Sequence, residues 1–151
     1  VGSDNGEAAP YNHGLAIALS DANSGIACKW STSKTKVHTY NTESISFASE
    51  SGLQYNATHN SGTYPAFQAA IANNGTAAPT GCSSWFLASG YQWLEMINAT
   101  GLSNLGLLES ANYWLSTEYN ADCAWDIGTY SGYWNKYDKD KDLLVRACLA
   151  F

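Results

Sequence analysis

The sequence predicts a single domain of the α+β class, and three observations support this prediction. The chain has 151 residues, which is about the length of one domain. Apolar residues at helical spacing lie in the middle of the chain, whereas short apolar runs bounded by turn residues lie near both ends. Helices and strands that occupy separate stretches, rather than alternating, are typical of α+β domains.

The N-terminal part is predicted to hold a lead-in and two strands. Residues 1–12 are polar and rich in small side chains, so they are expected to be a flexible lead-in to a domain that spans 13–151. Gly14–Ser20 is a short apolar run that predicts a buried strand. Asp21–Gly25 reads as a turn, and Ile26–Trp30 predicts a second short strand.

Helices are predicted through the middle of the chain. The first is short and covers Thr42–Ser51, with Thr42 as its N-cap and Gly52 as its stop. The polar stretch Gln54–Gly62 is then expected to be a loop. Pro65–Asn74 predicts a second helix, because proline suits the first helical position and its apolar residues share one face.

The most strongly indicated helix covers Ser89–Asn98. Ser89 and Gln92 have the spacing of a capping box, in which each side chain satisfies an amide of the first turn. Gly101 is expected to end this helix.

Strands are predicted again near the C-terminus, over Tyr113–Tyr119, Cys123–Gly128 and Leu143–Phe151. The polar residues between these runs supply turns. The last strand requires a partner, and the first apolar run is the natural one. We therefore expect the two ends of the chain to pair.

Charge and hydropathy exclude two kinds of partner. The net charge is −6, and an acidic domain repels phosphate backbones, so nucleic acid is not an expected partner. No apolar run approaches the roughly 18–20 residues that span a bilayer, so membrane insertion is not expected. Charged residues make up only 13%, and abundant Asn, Ser, Thr and Gly suit an extracellular or virion-surface protein.

Metal, cofactor and redox chemistry have weak support. The four cysteines permit three disulfide connectivities, or they are buried free thiols, and no CxxC pair occurs. His13, His38 and His59 lack metal-ligand spacing. Asp138–Asp142 alternates Asp with Lys but lacks the glycine and distal glutamate of an EF-hand, so it is expected to be a solvated strand edge or loop. No metal, cofactor or catalytic residue is therefore predicted, and binding is favoured over enzymatic activity.

The segment Asn112–Asp142 is the candidate binding surface. It contains eight of the twenty aromatic residues, interleaved with Asn, Ser, Gly, Thr and Asp. That composition is typical of antibody-like paratopes, in which tyrosine supplies contact area with few rotors. Trp114 and Trp125 are expected to be buried, whereas Tyr130, Tyr133 and Tyr137 are expected to be exposed.

Several stretches also resemble a known family: Trp85–Trp93, Tyr113–Tyr119 with Ala124-Trp125, Val145–Phe151, Tyr64–Ile71 and His13–Ala18. The chain, from about His13 to Phe151, is similar to the C-type-lectin-fold domains of bacterial and phage surface proteins. Within these it resembles the variable proteins of diversity-generating retroelements. The resemblance implies the C-type lectin fold of the formylglycine-generating-enzyme-like subtype, with paired terminal strands, two or more helices and long loops.

The resemblance also implies which residues vary and bind ligand. In that family, adenine-directed mutation changes Asn codons to Tyr, Ser, Asp, Gly, Thr or Cys, but never to Trp, Lys or Glu. The implied constant residues are Trp114, Glu118, Trp125, Trp134, Lys136, Lys139 and Lys141. The implied variable, ligand-binding residues are Asn120, Asp122, Cys123, Asp126, Thr129, Tyr130, Ser131, Tyr133, Asn135, Tyr137, Asp138 and Asp140.

The implied function is the display of this surface to an unknown protein or cell-surface ligand, on a cell or a virion. One alternative is a constant adhesin or fimbrial-tip domain. Another is an oxidase of the formylglycine-generating type, which would use Cys82 and Cys148. The Pro-containing and Trp-Asn-Asp motifs of calcium-dependent lectins are missing, since Trp125-Asp126 is followed by Ile, so calcium-dependent sugar binding is not expected.

Overall fold

The computed structural model describes residues 5–38, 51–130, 132 and 134–151. The predicted helix over Thr42–Ser51 lies outside these residues, except for Ser51. The helices are α1 (Gly52–Thr58), α2 (Pro65–Ala72) and α3 (Gly90–Thr100). The strands are β1 (Leu15–Ile17), β2 (Cys28–Lys29), β3 (Phe86–Leu87), β4 (Asn112–Glu118), β5 (Cys123–Gly128), β6 (Trp134–Asp138), β7 (Asp142–Leu143) and β8 (Ala147–Ala150). The α+β class is confirmed.

Within the described residues, the strands form three antiparallel sheets, ordered β1-β8-β3, β2-β7 and β4-β5-β6. Leu15 lies opposite Ala150 and Ile17 opposite Cys148, so the predicted pairing of the two chain ends is confirmed. The predicted last strand, Leu143–Phe151, is divided between β7 and β8, which pair in different sheets. The short strand β3 and the strand β6 were not predicted.

The two helices with clear sequence signals form as expected. Pro65 begins α2 at its first turn. Ser89 caps α3, with its hydroxyl accepting from the Gln92 amide while the Gln92 side chain accepts from the Ser89 amide. Gly101 follows the last residue of α3. These ends form locally because each depends on residues within one turn.

The prediction of a loop over Gln54–Gly62 is wrong, because α1 occupies Gly52–Thr58. The Ser51 hydroxyl accepts from the Gln54 amide and begins the helix. Asn56 is buried, and its side chain exchanges hydrogen bonds with the backbone of Leu87 in β3. A Cβ on Gly52 would lie 2.6 Å from the Leu87 carbonyl oxygen, so only glycine permits this approach. The buried residues of α1 are Gly52 and Asn56, so the helix gives little apolar periodicity in the sequence.

Residues 5–12 of the predicted lead-in contact the domain. Asn5 is buried and donates to the carbonyls of Tyr11 and Gly14. The Glu7 carboxylate accepts from the Ser51 hydroxyl and the Gln92 side-chain amide. The boundary between a lead-in and a domain that spans 13–151 stays a prediction.

Strand β4 lies between two apolar cores. Trp114 is wholly buried on one side, with Trp30 and Phe67. Tyr113 and Leu115 are wholly buried on the other side. The burial of Trp114 is therefore confirmed, and β4 is a rigid support for the strands beside it.

Two buried ion pairs link distant parts of the chain. Arg146 pairs with Asp21 at 2.6 Å, and Lys139 pairs with Glu118. Lys139 is wholly buried, so the expectation that the Asp138–Asp142 stretch is a solvated edge or loop is wrong at this position. The lysine can be buried because its ammonium donates one hydrogen bond to the Glu118 carboxylate, which neutralises its charge, and another to the Thr35 carbonyl. No helix of the described residues has the length and apolar character needed to cross a bilayer.

Candidate functional site

An open pocket lies over one face of β5 and β6. We call it the β5–β6 pocket; it has a volume of about 460 Å³ and is lined by Ser110, Ala111, Asn112, Gly128, Tyr130, Asn135 and Tyr137. Strand register explains the grouping, since Asn112 lies opposite Gly128 and Asn135 lies opposite Asp126. Side chains that are opposite each other, or two residues apart, share a face of a sheet.

Asp126 lies on that same face, beneath the pocket, and has no exposed surface. The Asn112 side-chain amide donates to Oδ2 of Asp126 at 2.5 Å. Oδ1 has no hydrogen-bond partner among the described residues. Burial raises the pKa of Asp126 to about 6, and the hydrogen bond from Asn112 opposes part of that increase. A buried carboxyl group with a raised pKa therefore lies beside the residues that line the pocket.

The side chain of Thr129 holds the loop residues beside the pocket through hydrogen bonds to their backbone. The Thr129 hydroxyl accepts from the Ala111 amide at 2.9 Å and donates to the Leu108 carbonyl at 2.7 Å. Ser110 has a φ of 56°, in the left-handed region that few non-glycine residues adopt. Residues held in such conformations concentrate at functional sites, because the surrounding structure must supply the energy that maintains them.

A second hollow lies next to this pocket and takes much of its lining from the opposite face of the sheet. It has a volume of about 520 Å³ and is lined by Tyr119, Trp125, Trp134, Asn135, Lys136 and Tyr137. The rings of Tyr119 and Trp125 meet edge to face at 5.3 Å, and the Lys136 ammonium lies 4.0 Å from the centre of the Tyr119 ring. Trp125 is only partly buried, so the expectation that it belongs wholly to the core is met in part.

A third and larger hollow adjoins the β5–β6 pocket on its other side. Its volume is about 710 Å³, and its lining is Leu102, Ser103, Leu107, Leu108, Glu109, Ser110, Thr129, Tyr130 and Gly132. Tyr130 lines both hollows and is 88% exposed. Tyr137 likewise lines two hollows and is 43% exposed. The predicted exposure of these two tyrosines is confirmed, whereas Tyr133 lies outside the described residues.

The structure brings together only part of the predicted binding set. Tyr130, Asn135 and Tyr137 line the β5–β6 pocket, Asp126 lies beneath it, and Thr129 clamps its edge. The remaining described members lie at the other end of the hairpins: Asn120, Asp122, Cys123, Asp138 and Asp140. Cys123 and Gly128 are five steps apart on β5, which is roughly 17 Å at the rise of a strand. Ser131, like Tyr133, lies outside the described residues.

The far-end residues have structural contacts of their own. Oδ1 of Asn120 accepts from the amides of Asp122 and Cys123, both at 2.9 Å, and shapes the turn between β4 and β5. Lys34 forms ion pairs with Asp138 at 3.3 Å and Asp140 at 3.7 Å. These contacts give this end of the sheet a scaffold role that the sequence did not indicate.

The sequence prediction missed four residues of the pocket lining: Ser110, Ala111, Asn112 and Gly128. Asn112 was the most accessible to sequence reasoning, because it is an asparagine directly before the predicted strand Tyr113–Tyr119. Its place beside Asp126 follows only from the hairpin register. All four cysteines are free thiols; Cys148 is buried and the other three are partly exposed. Burial raises the pKa of Cys148 well above its usual value.

Comparison with known proteins gives a similarity of fold. No model of a known protein family matches the chain, and no curated protein sequence matches it. Among solved structures, the chain is similar to a fimbrial protein from Bacteroides ovatus, with a TM-score of 0.59 and 16% sequence identity. The match covers 93% of this chain and 36% of the fimbrial protein, so the chain spans about a third of that protein's length. At this identity the similarity concerns the fold alone.

Proposed function

We propose that this chain is a ligand-binding domain displayed on the surface of a cell or virion, and that the β5–β6 pocket with its tyrosine rim is its contact surface. One observation carries the proposal: the exposed side chains of Tyr137, on β6, and Tyr130, in the turn after β5, line a hollow beside the buried carboxyl group of Asp126. Exposed tyrosines beside small polar groups offer contact area at little entropic cost, which suits recognition of another molecule.

The scaffold beneath this surface supports the same function. The sheet that carries the pocket packs through β4 on two apolar cores, and Glu118 at the end of β4 accepts from the amides of Val37 and His38, which joins the sheet to an earlier part of the chain. A rigid support keeps the rim side chains in position, and this lowers the cost of ordering them when a ligand binds.

We further propose that the domain has the C-type lectin fold and that its rim varies through a diversity-generating retroelement. The distribution of residue types supports this hypothesis. Five residues that line the pocket or lie beneath it are of types that adenine-directed mutation of asparagine codons retains or produces: Asn112, Asp126, Tyr130, Asn135 and Tyr137. Trp114, Glu118 and Lys139, which it cannot produce, are wholly buried. The structural contacts of Asn120 and Thr129 argue that these two positions tolerate less variation than the rim.

A constant adhesin domain is the second candidate, and the fimbrial protein of similar fold favours it. Both candidates place the chain at a surface and use it for attachment. They differ in the gene: a diversified domain has a near-identical repeat of the segment encoding 112–151 beside a reverse-transcriptase gene, with mismatches at adenines. An oxidase of the formylglycine-generating type is a weaker candidate, because burial keeps the thiol of Cys148 protonated.

The contact surface is tested with a double variant, Tyr130→Ser with Tyr137→Ser. The domain is labelled with a fluorophore and artificially linked into tetramers, and this reagent is applied to a glycan array and to a panel of intact bacterial cells. We expect the wild-type signal to fall at least tenfold in the double variant, with an unchanged melting temperature. Ile26→Ser is the matched control, since Ile26 is 65% exposed and lies outside the pocket lining. The proposal is contradicted if the double variant still binds, or if the wild type binds neither the array nor the cells.

A further inference from the structure

Three carboxylate side chains are buried among the described residues, and Asp126 differs from the other two. Asp21 pairs with Arg146, and Glu118 pairs with Lys139. Asp126 has one amide donor, from Asn112, and no cation. A buried carboxylate without a counter-charge is costly, so an approaching cation gains more from this group than from a solvated one.

Among the described residues, no charged side chain lies beside Asp126 as an internal partner. On β4, its neighbours on the same face are Asn112 and Trp114; on β6, they are Asn135 and Tyr137. Lys136 lies opposite Trp125 on the other face, where its ammonium contacts Tyr119. Among the described residues, therefore, no cation pairs with Asp126.

The rim of the β5–β6 pocket suits such a cation. The rings of Tyr130 and Tyr137 provide negative faces for an ammonium or guanidinium group. The side-chain oxygen of Asn112 is an acceptor of the type that a further N–H group requires. Asp126 itself has no exposed surface, so a rim side chain must rotate before a ligand reaches Oδ1. Tyr137 is the rim tyrosine on the same face of the sheet as Asp126, and it is 43% exposed.

We propose that the β5–β6 pocket binds a cationic side chain, lysine or arginine, of a peptide or protein ligand, and that this cation donates a hydrogen bond to Oδ1 of Asp126. The inference rests on the proposed function and specifies the ligand chemistry of the same surface. Charge-assisted hydrogen bonds are about twice as strong as neutral ones, so Asp126 supplies selectivity while the tyrosines supply contact area.

The test uses a matched pair of small probes. N-acetyl-lysine methylamide and N-acetyl-norleucine methylamide, which lacks the amine, are titrated separately into the labelled domain at pH 7.5 and followed by amide NMR shifts. We expect saturable shifts at Asn112, Gly128 and Asn135 with the lysine probe alone. Asp126→Asn, which keeps the shape of the side chain, is expected to weaken the lysine probe about tenfold, the factor for loss of one charge-assisted hydrogen bond.

Lowering the pH gives an independent readout. Because burial raises the pKa of Asp126 to about 6, the wild-type affinity for the lysine probe should fall between pH 7.5 and pH 5, whereas the Asp126→Asn variant should show no such change. Equal shifts with both probes, or full affinity in Asp126→Asn, overturns the inference. If the tyrosine double variant loses binding to cells or glycans but the lysine probe produces no saturable shifts, only the inference is wrong. If the double variant keeps its binding and the lysine probe also produces no shifts, the proposed function is wrong as well.

Discussion

Glu118 and Asp126 are both wholly buried carboxylates in the same sheet, but their surroundings differ. Glu118 accepts from the Lys139 ammonium and from the amides of Val37 and His38. Asp126 accepts from the Asn112 amide alone among the described residues. The two carboxylates therefore differ in kind: the neutralised one joins elements of the scaffold, and the incompletely satisfied one is the group that we propose pairs with a ligand cation.

The two carboxylates should also differ in their effect on stability. Glu118 and Lys139 offset each other's desolvation, and the ion pair holds the turn after β6 against the end of β4. Asp126 is desolvated without that compensation, so its charged form opposes folding. The predictions below separate these two roles, and they run from the largest expected effect to the smallest.

Removing the lysine of the buried ion pair should have the largest effect. Lys139→Met leaves the Glu118 carboxylate buried without its cation, and loss of one partner of a buried pair costs about 3–5 kcal/mol. Urea unfolding measures the free energy of unfolding. The control is Lys141→Met, which removes an exposed lysine two residues away and should change stability by less than about 0.5 kcal/mol. Equal effects of the two substitutions would show that Lys139 is not buried in solution.

Protonation of Asp126 should stabilise the fold. Its pKa is about 6 in the folded chain and lower in the unfolded chain, so the folded state binds the proton more tightly. Stability contributed by this group therefore rises as pH falls from about 7 to 4, by about 2–3 kcal/mol. Urea unfolding of the wild type and of Asp126→Asn over this range measures the contribution as the difference between the two curves.

The Asp126→Asn curve has to be subtracted because His38 changes the stability in the opposite direction as the pH falls. Burial, the largest cause, lowers the pKa of His38 to about 3, so its contribution to stability is lost as pH falls below the unfolded value near 6.5. This histidine lies near the Glu118–Lys139 pair and is present in both the wild type and Asp126→Asn, so its contribution cancels in the difference between the two curves. A difference curve that is flat between pH 7 and 4 would contradict the raised pKa of Asp126.

Removing the single donor to Asp126 should have an intermediate effect. Asn112→Ala leaves Oδ2 without its hydrogen bond and should destabilise the fold at pH 8 by about 1–2 kcal/mol. The loss should be smaller in the Asp126→Asn background, because the neutral side chain is less costly to leave unpaired. A double-mutant cycle at pH 8 measures the coupling. Additive effects would show that the two side chains do not interact.

The smallest effect on stability is expected at the rim. Tyr130→Ser removes a ring that is 88% exposed, so the free energy of unfolding should change by less than about 0.5 kcal/mol. Phe67→Ser provides the contrast, because Phe67 is wholly buried against Trp30 and its loss should cost several-fold more. Thermal melts of both variants make the comparison. A large loss of stability in Tyr130→Ser would place this tyrosine in the core and remove it from the proposed contact surface.

The sequence by itself determined the features that depend on neighbouring residues. The capping box of Ser89 and Gln92 and the proline that begins α2 specify helix starts, because each acts within one turn. Bounded apolar runs specified β1 and β5, and the need of the last strand for a partner predicted the pairing of β1 with β8. Composition alone also located the surface that carries Tyr130 and Tyr137.

Only the tertiary structure decided the features that depend on contacts between distant residues. Lys139 is buried because β4 brings Glu118 to it, although their surroundings in the sequence are polar. Helix α1 forms where Gly52 and Asn56 meet the backbone of β3. Asp126 lies beneath a pocket because the hairpin register places it between Asn112 and Asn135. In each case a polar side chain acquires its role from a partner that local periodicity does not reveal, since burial and charge pairing are properties of the assembled sheet.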